Sequence, residues 1–200
     1  MSRRQLLAAA VAMAAVGLGG CDKLFAPAKS PFTAVDVTGG EMGGALRLTD
    51  HDGRSRSLAD FRGKAVVVVF GFTHCPDVCP TALADMARAV RQLGDREGDV
   101  QVLFVTLDPA RDTPELLKQY VPAFHPAFLG LRGSEAETTA VTRDFKIYAS
   151  QRPGKTPDTY TIDHSAQSFV FDRQGQIRLL LPPNMASAAI ASDLRLILNS

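Results

Sequence analysis

From Lys64 to Phe70 the chain reads KAVVVVF, and GFTHCPDVCP follows at 71–80. Branching at Cβ disfavours the helix and suits a pleated strand. A strand with no polar alternation has no face to give to water. It belongs in the middle of a parallel or mixed sheet covered on both sides. The run stops at a glycine, and two of the chain's three cysteines follow, four positions apart. In open α/β sheets, chemistry gathers where such a strand ends.

The flanking segments alternate. Residues 34–63 mix short β-prone stretches, AVDV and ALRL, with turn signals TGG, EMGG and DHDG. After the cysteines, Leu83, Met86, Ala89, Val90 and Leu93 recur at helical spacing, predicting a helix over 81–93. Val100–Leu107 reads as a second buried strand. Thr113-Pro114-Glu115 opens a helix with a capping hydroxyl and an N-terminal proline. Residues 127–131 give a short third strand. Residues 134–145 form a helix whose capping box pairs Ser134 with Glu137. Residues 150–163 read as a polar loop. Strands at 168–171 and 177–181 flank the hairpin signal Asp172-Arg173-Gln174-Gly175, and 186–198 closes as an amphipathic helix. This order is α/β. With the cysteines after the first central strand, it is the order of a thioredoxin-like fold, here with an N-terminal β extension and an inserted hairpin.

The first 20 residues have a different character. Arg3-Arg4 precedes an uncharged apolar stretch too short to span a bilayer comfortably, and the stretch ends in small residues. It reads as an export signal, and the start SRRQLL resembles a twin-arginine signal. Leu18-Gly19-Gly20-Cys21 resembles a bacterial lipobox, which predicts cleavage before Cys21 and lipid on its thiol. Residues 21–33, with two prolines and no periodicity, read as a lipidated tether. The domain at 34–200 is then held by lipid at the outer, periplasmic face of the cytoplasmic membrane in a bacterial envelope. Cleavage would remove Arg3 and Arg4 and no acid, leaving 20 Lys+Arg against 21 Asp+Glu, a net charge of −1. Nothing in that balance points to nucleic acid.

With Cys21 lipidated, Cys75 and Cys79 have only each other or a metal as partners in an oxidising compartment. Pro80 suits the start of a helix, which places the pair at a helix N-terminus, where peptide dipoles favour thiolate. Three intervening residues, one more than in a thioredoxin-type pair, let the sulfurs spread around an ion. Soft thiolates select Cu(I) or zinc. A structural disulfide, a redox pair and a metal site all remain open on spacing alone. Among the histidines, His51 sits in a turn, His74 adjoins Cys75, and His125 lies in the packing segment FHPAF. His164 precedes the strand at 168–171, on the expected site side of the sheet.

CPDVCP at 75–80, VTLDPARDTP at 105–114 and YTIDHS at 160–165 together resemble the Sco/SenC family, and LADFRGK at 58–64 and GFTH at 71–74 fit as well. The resemblance covers residues 35–198. It implies a membrane-tethered thioredoxin-like domain that binds one copper ion, Cu(I) or Cu(II), through Cys75, Cys79 and His164. It also implies a metallochaperone, not an enzyme, serving the copper-site subunit of cytochrome c oxidase, with other periplasmic copper carriers as further partners. Asp108 and Asp163 are candidates to support the ligands. The competing reading is a thiol–disulfide oxidoreductase. It would use Cys75 and Cys79 as a redox-active disulfide to reduce copper-ligand cysteines or to signal. A thiol peroxidase is disfavoured, because Thr73 lies two residues before Cys75 where a TxxC pattern needs three.

Overall fold

The computed structural model describes residues 30–156 and 159–200. The export signal, Cys21 and the tether up to residue 29 lie outside the described residues, as do Pro157 and Asp158. Phe32–Ser200 forms a unit of its own. Its strands are β1 (Val35–Asp36), β2 (Arg47–Asp50), β3 (Ser55–Ser57), β4 (Ala65–Gly71), β5 (Val100–Thr106), β6 (Leu129–Arg132), β7 (Ala149–Arg152), β8 (Thr161–His164), β9 (Ser168–Phe171) and β10 (Ile177–Leu181). Its α-helices are α1 (Val78–Arg91), α2 (Pro114–Tyr120), α3 (Glu135–Asp144) and α4 (Ser187–Leu198).

The main sheet runs β1-β10-β9-β4-β5-β6-β2-β3. At its centre β4 is parallel to β5 and antiparallel to β9, with β10 beyond. That is the thioredoxin-like core. β1 lengthens one edge, and the β2–β3 hairpin joins the other through β6. The apolar run explains itself here. Val67 and Val69 face one hydrophobic cluster with Leu83, Met86 and Ile197 of α1 and α4. Val66, Val68 and Phe70 face a second with Val141 of α3 and neighbouring Phe145. Both faces of β4 are dry, so polar alternation would bury unpaired groups.

Local signals act as expected at two helix starts. The Thr113 hydroxyl accepts the Leu116 N–H, and Ser134 and Glu137 form the reciprocal box. Two expectations need correction. The helix after the cysteines begins at Val78 and not at Thr81, so Cys79 lies inside its first turn. Pro80 is tolerated there because the first turn's N–H groups need no intrahelical acceptor. The polar loop at 150–163 is also not a plain loop. Its ends pair antiparallel as β7 and β8, a ribbon separate from the main sheet. Ser150, Gln151, Arg152, Thr161 and Asp163 conceal it, because a mostly solvated ribbon lacks apolar alternation. Among the described residues, no helix is long and apolar enough to cross a membrane.

Candidate functional site

Cys79 is anchored by the sheet. Its side chain sits over the C-terminal end of β4, where Gly71 leaves room. A Cβ on Gly71 would lie 2.8 Å from Cys79 Sγ and 2.8 Å from the Phe104 ring. Glycine is required at that position by close approach, not by backbone angle. Cys79 is only 2 % exposed and belongs to the core cluster, whereas Cys75 is half-buried against it. Both are free thiols. Cys75 lies in the loop before α1, with its N–H donating to Phe72 O at 3.2 Å.

His164 arrives from the other side, as the last residue of β8. Strand alternation turns Ile162 and His164 toward the domain and Thr161 and Asp163 toward solvent. His164 Nδ1 lies 2.8 Å from Ser165 O. A carbonyl can only accept, so Nδ1 carries a proton, and in the neutral ring Nε2 is the nitrogen with the free lone pair. That Nε2 stands 3.7 Å from Cys79 Sγ, and the ring packs edge-on against Phe72. Two of the three expected ligands are thus in direct contact, with the third on the adjacent loop. Among the described residues no group of three ligating side chains is already gathered tightly enough to hold an ion. The Cys75 side chain meets the Cys79 thiol from that loop.

The helix N-terminus does not make Cys79 a ready thiolate. Burial pushes its pKa well above the ordinary 9.0, and the neighbouring Cys75 and the Asp112 charge push the same way. The Phe72 N–H opposes them without prevailing. Loss of hydration costs a buried anion more than nearby dipoles return. Burial therefore favours the neutral thiol, which must give up its proton to solvent or a base before the sulfur can bind a soft ion as thiolate.

The two supporting acids play other parts. Asp108 accepts from Arg111 Nε at 2.5 Å and from the Tyr160 hydroxyl at 2.7 Å. Arg111 also stacks on the Tyr160 ring at 3.6 Å and donates to Tyr160 O at 2.9 Å. These contacts staple the foot of β8 to the loop after β5, so Asp108 supports His164 at a distance without touching it. Asp163 pairs with Arg152 at 2.7 Å across the exposed ribbon and is turned away from the imidazole.

Asp112 was not singled out by the sequence, yet it fastens the site. Its buried carboxylate accepts from the Thr73 N–H at 3.0 Å, the Thr73 hydroxyl at 2.6 Å and the Thr106 hydroxyl at 2.5 Å. It thereby ties the approach to Cys75 to the end of β5. The signal lay in DPARDTP, whose second acid precedes the α2 cap. His74 hydrogen-bonds Thr73 and is half-exposed. The other histidines serve the fold. His51 Nδ1 accepts the Gly130 N–H at 3.0 Å. Buried His125 stacks on Phe128 and meets Glu97 at 2.5 Å.

The SCO1/SenC family model matches residues 35–199. The mitochondrial SCO2 homolog of Bos taurus is 44 % identical over 134 residues, 66 % of this chain and 50 % of its own length. The chain spans about half the length of the mammalian and yeast relatives it matches. Bradyrhizobium japonicum ScoI, solved with copper bound, superposes with a TM-score of 0.72 at 36 % identity, over 78 % of this chain and 99 % of that one. Yeast Sco1 with copper bound gives 0.73 at 32 %, over 80 % and 90 %. With this fold and a match over nearly the whole described unit, the chain belongs to the SCO1/SenC family.

Proposed function

We propose that this protein takes up one copper ion and delivers it to the copper-site subunit of cytochrome c oxidase. The carrying observation is His164, whose Nε2 stands 3.7 Å from Cys79 Sγ while Nδ1 donates to Ser165 O. Cys75 and Cys79 supply thiolates for Cu(I), and His164 adds the nitrogen that Cu(II) prefers. The donor set fits this cargo, which enters as substrate and leaves again. Protonated Cys79 keeps the empty site neutral in its apolar surroundings, and a thiophilic ion displaces the proton. Relatives solved with copper bound support the reading. Lipid on Cys21 holds the domain at the outer face of the cytoplasmic membrane, where other periplasmic copper carriers can load it. Acyl labelling that persists in Cys21→Ser would overturn the anchor.

The pair of adjacent free thiols favours a second reading, thiol–disulfide exchange. That chemistry needs both sulfurs but no imidazole. Anaerobic titration of the reduced, purified protein with Cu(I), Cu(II) and Zn(II) separates the two. In His164→Ala, Cu(II) affinity should fall about a hundredfold or more, since even indirect partners of a metal ligand are worth about 10–100-fold. Cu(I) affinity should fall less, and Cys75–Cys79 disulfide formation should persist. Unchanged Cu(II) binding and intact oxidase assembly in that variant would favour thiol exchange instead.

A further inference from the structure

His74 is held more firmly than a surface side chain needs. Its Nδ1 lies 3.1 Å from the Thr73 hydroxyl. That hydroxyl has one proton and gives it to Asp112 Oδ1 at 2.6 Å. Toward the imidazole, Thr73 Oγ1 can then only accept, so Nδ1 carries a proton and, in the neutral ring, Nε2 has the free lone pair. The relay ends on a fully buried carboxylate, whose Oδ1 is 3.7 Å from the same Nδ1, whereas the His74 side chain is 49 % exposed. Both polar contacts of the ring are at Nδ1, and among the described residues nothing hydrogen-bonds Nε2.

Histidines that bind metals are held in this manner. One ring nitrogen donates to a fixed acceptor, which sets the tautomer and leaves the other nitrogen for the ion. His164 obtains the same arrangement from Ser165 O. The loop does not need the His74 ring for its own anchorage, because the Thr73 N–H and hydroxyl already bind Asp112. Consecutive Cα atoms lie about 3.8 Å apart, so an ion that enters or leaves past half-buried Cys75 comes within a side chain's reach of this imidazole. We propose that His74 is a transfer ligand, whose Nε2 binds the copper ion in passage between the Cys75–Cys79–His164 set and an outside donor or acceptor. The proposal rests on the copper-delivery reading and adds the group that meets the ion at the mouth of the site. The step is ligand exchange. Nε2 gives its lone pair to copper as one copper–sulfur bond opens, a ligand of the acceptor then displaces Nε2, and copper keeps its oxidation state. Imidazole binds copper but is a harder donor than thiolate, so for Cu(I) it serves the passage and not the resting site.

The test compares wild type and His74→Ala as purified full-length protein loaded with Cu(I). Transfer of the ion to an excess of a small-molecule chelator is followed by stopped flow, and equilibrium affinity by competition with the same chelator. His74→Ala should slow transfer about tenfold, the lower end of the effect of groups that tune a metal site. Its equilibrium affinity should stay within about twofold and its melting temperature should not move. Thr73→Ser, which keeps the relay's hydroxyl, should transfer at the wild-type rate. The metal-free wild type gives a check that needs no variant. Its imidazole nitrogen-15 shifts should place the His74 proton on Nδ1. Transfer at the wild-type rate in His74→Ala, a fall in affinity as large as the fall in rate, or a His74 proton on Nε2 would each overturn the assignment and leave copper delivery standing. A wild type that takes up no copper would sink copper delivery, and the transfer role with it.

Discussion

The two halves of the site are held in opposite ways. Cys79 is set into the core, against Gly71 and the Phe104 ring, where any movement disturbs close packing. His164 hangs on a two-stranded ribbon outside the main sheet. Ile162 and the Asp108–Arg111–Tyr160 staple tie that ribbon down. One half is fixed by packing, the other by a few polar contacts. A packed sulfur gives a constant soft foothold. The imidazole is held by its hydrogen bond to Ser165 O and its edge contact with Phe72.

The sharpest way to break this comparison is to remove each sulfur in turn. Cys75→Ala and Cys79→Ala should both abolish tight Cu(I) binding, measured by competition with a chelator. Their stability costs should differ. Cys79→Ala empties a buried position and should cost about 1–2 kcal/mol, while Cys75→Ala should stay within about 0.5 kcal/mol. Equal losses in denaturant unfolding would mean that Cys79 is no more a packing residue than Cys75.

A smaller effect probes the staple. Tyr160→Phe deletes the hydroxyl that Asp108 accepts and keeps the stack on Arg111. Its cost should be about 1 kcal/mol, the net worth of one hydrogen bond. Cu(II) affinity should fall about tenfold, within the range seen for supporting partners of a metal ligand, and Cu(I) affinity should hardly change. Amide exchange in β8 should quicken while β4 stays protected. Equal weakening of both oxidation states would show that the ribbon and the sulfur loop move as one.

The smallest effect is in pH. The folded pKa of Cys79 is raised, by burial first and then by Cys75. Its neutral thiol therefore contributes stability that is whole below the ordinary value of 9.0 and is lost as pH climbs past it. The reduced, metal-free wild type should lose melting temperature between about pH 8 and pH 10 faster than Cys79→Ala does. Parallel curves would mean that the sulfur is better hydrated than its burial implies.

Much of this architecture was legible because its causes are local. KAVVVVF announced a central strand through its lack of polar alternation, and Thr113, Ser134 and Glu137 announced helix starts through hydrogen bonds spanning three residues. Cys75, Cys79 and His164 stood out by spacing and motif. The β7–β8 ribbon stayed hidden, since only Ile162 carries an inward apolar signal and the remaining pairs are polar and solvated. Asp112 stayed hidden too, because its partners Thr73 and Thr106 lie on the ends of two different strands.

The sequence by itself determined the central strand, the α/β order, the family and the residues able to bind a soft metal. Hydropathy period, capping chemistry and motif spacing are all written within a few residues of one another. Only the tertiary structure decided that Cys79 is a buried thiol and no ready thiolate. It alone decided that Asp163 faces away from His164 and that Asp108 works through Tyr160. Each of those facts depends on which distant group excludes water or offers a partner, and hydration and hydrogen bonding at a buried site are set by neighbours that the chain supplies from far along its length.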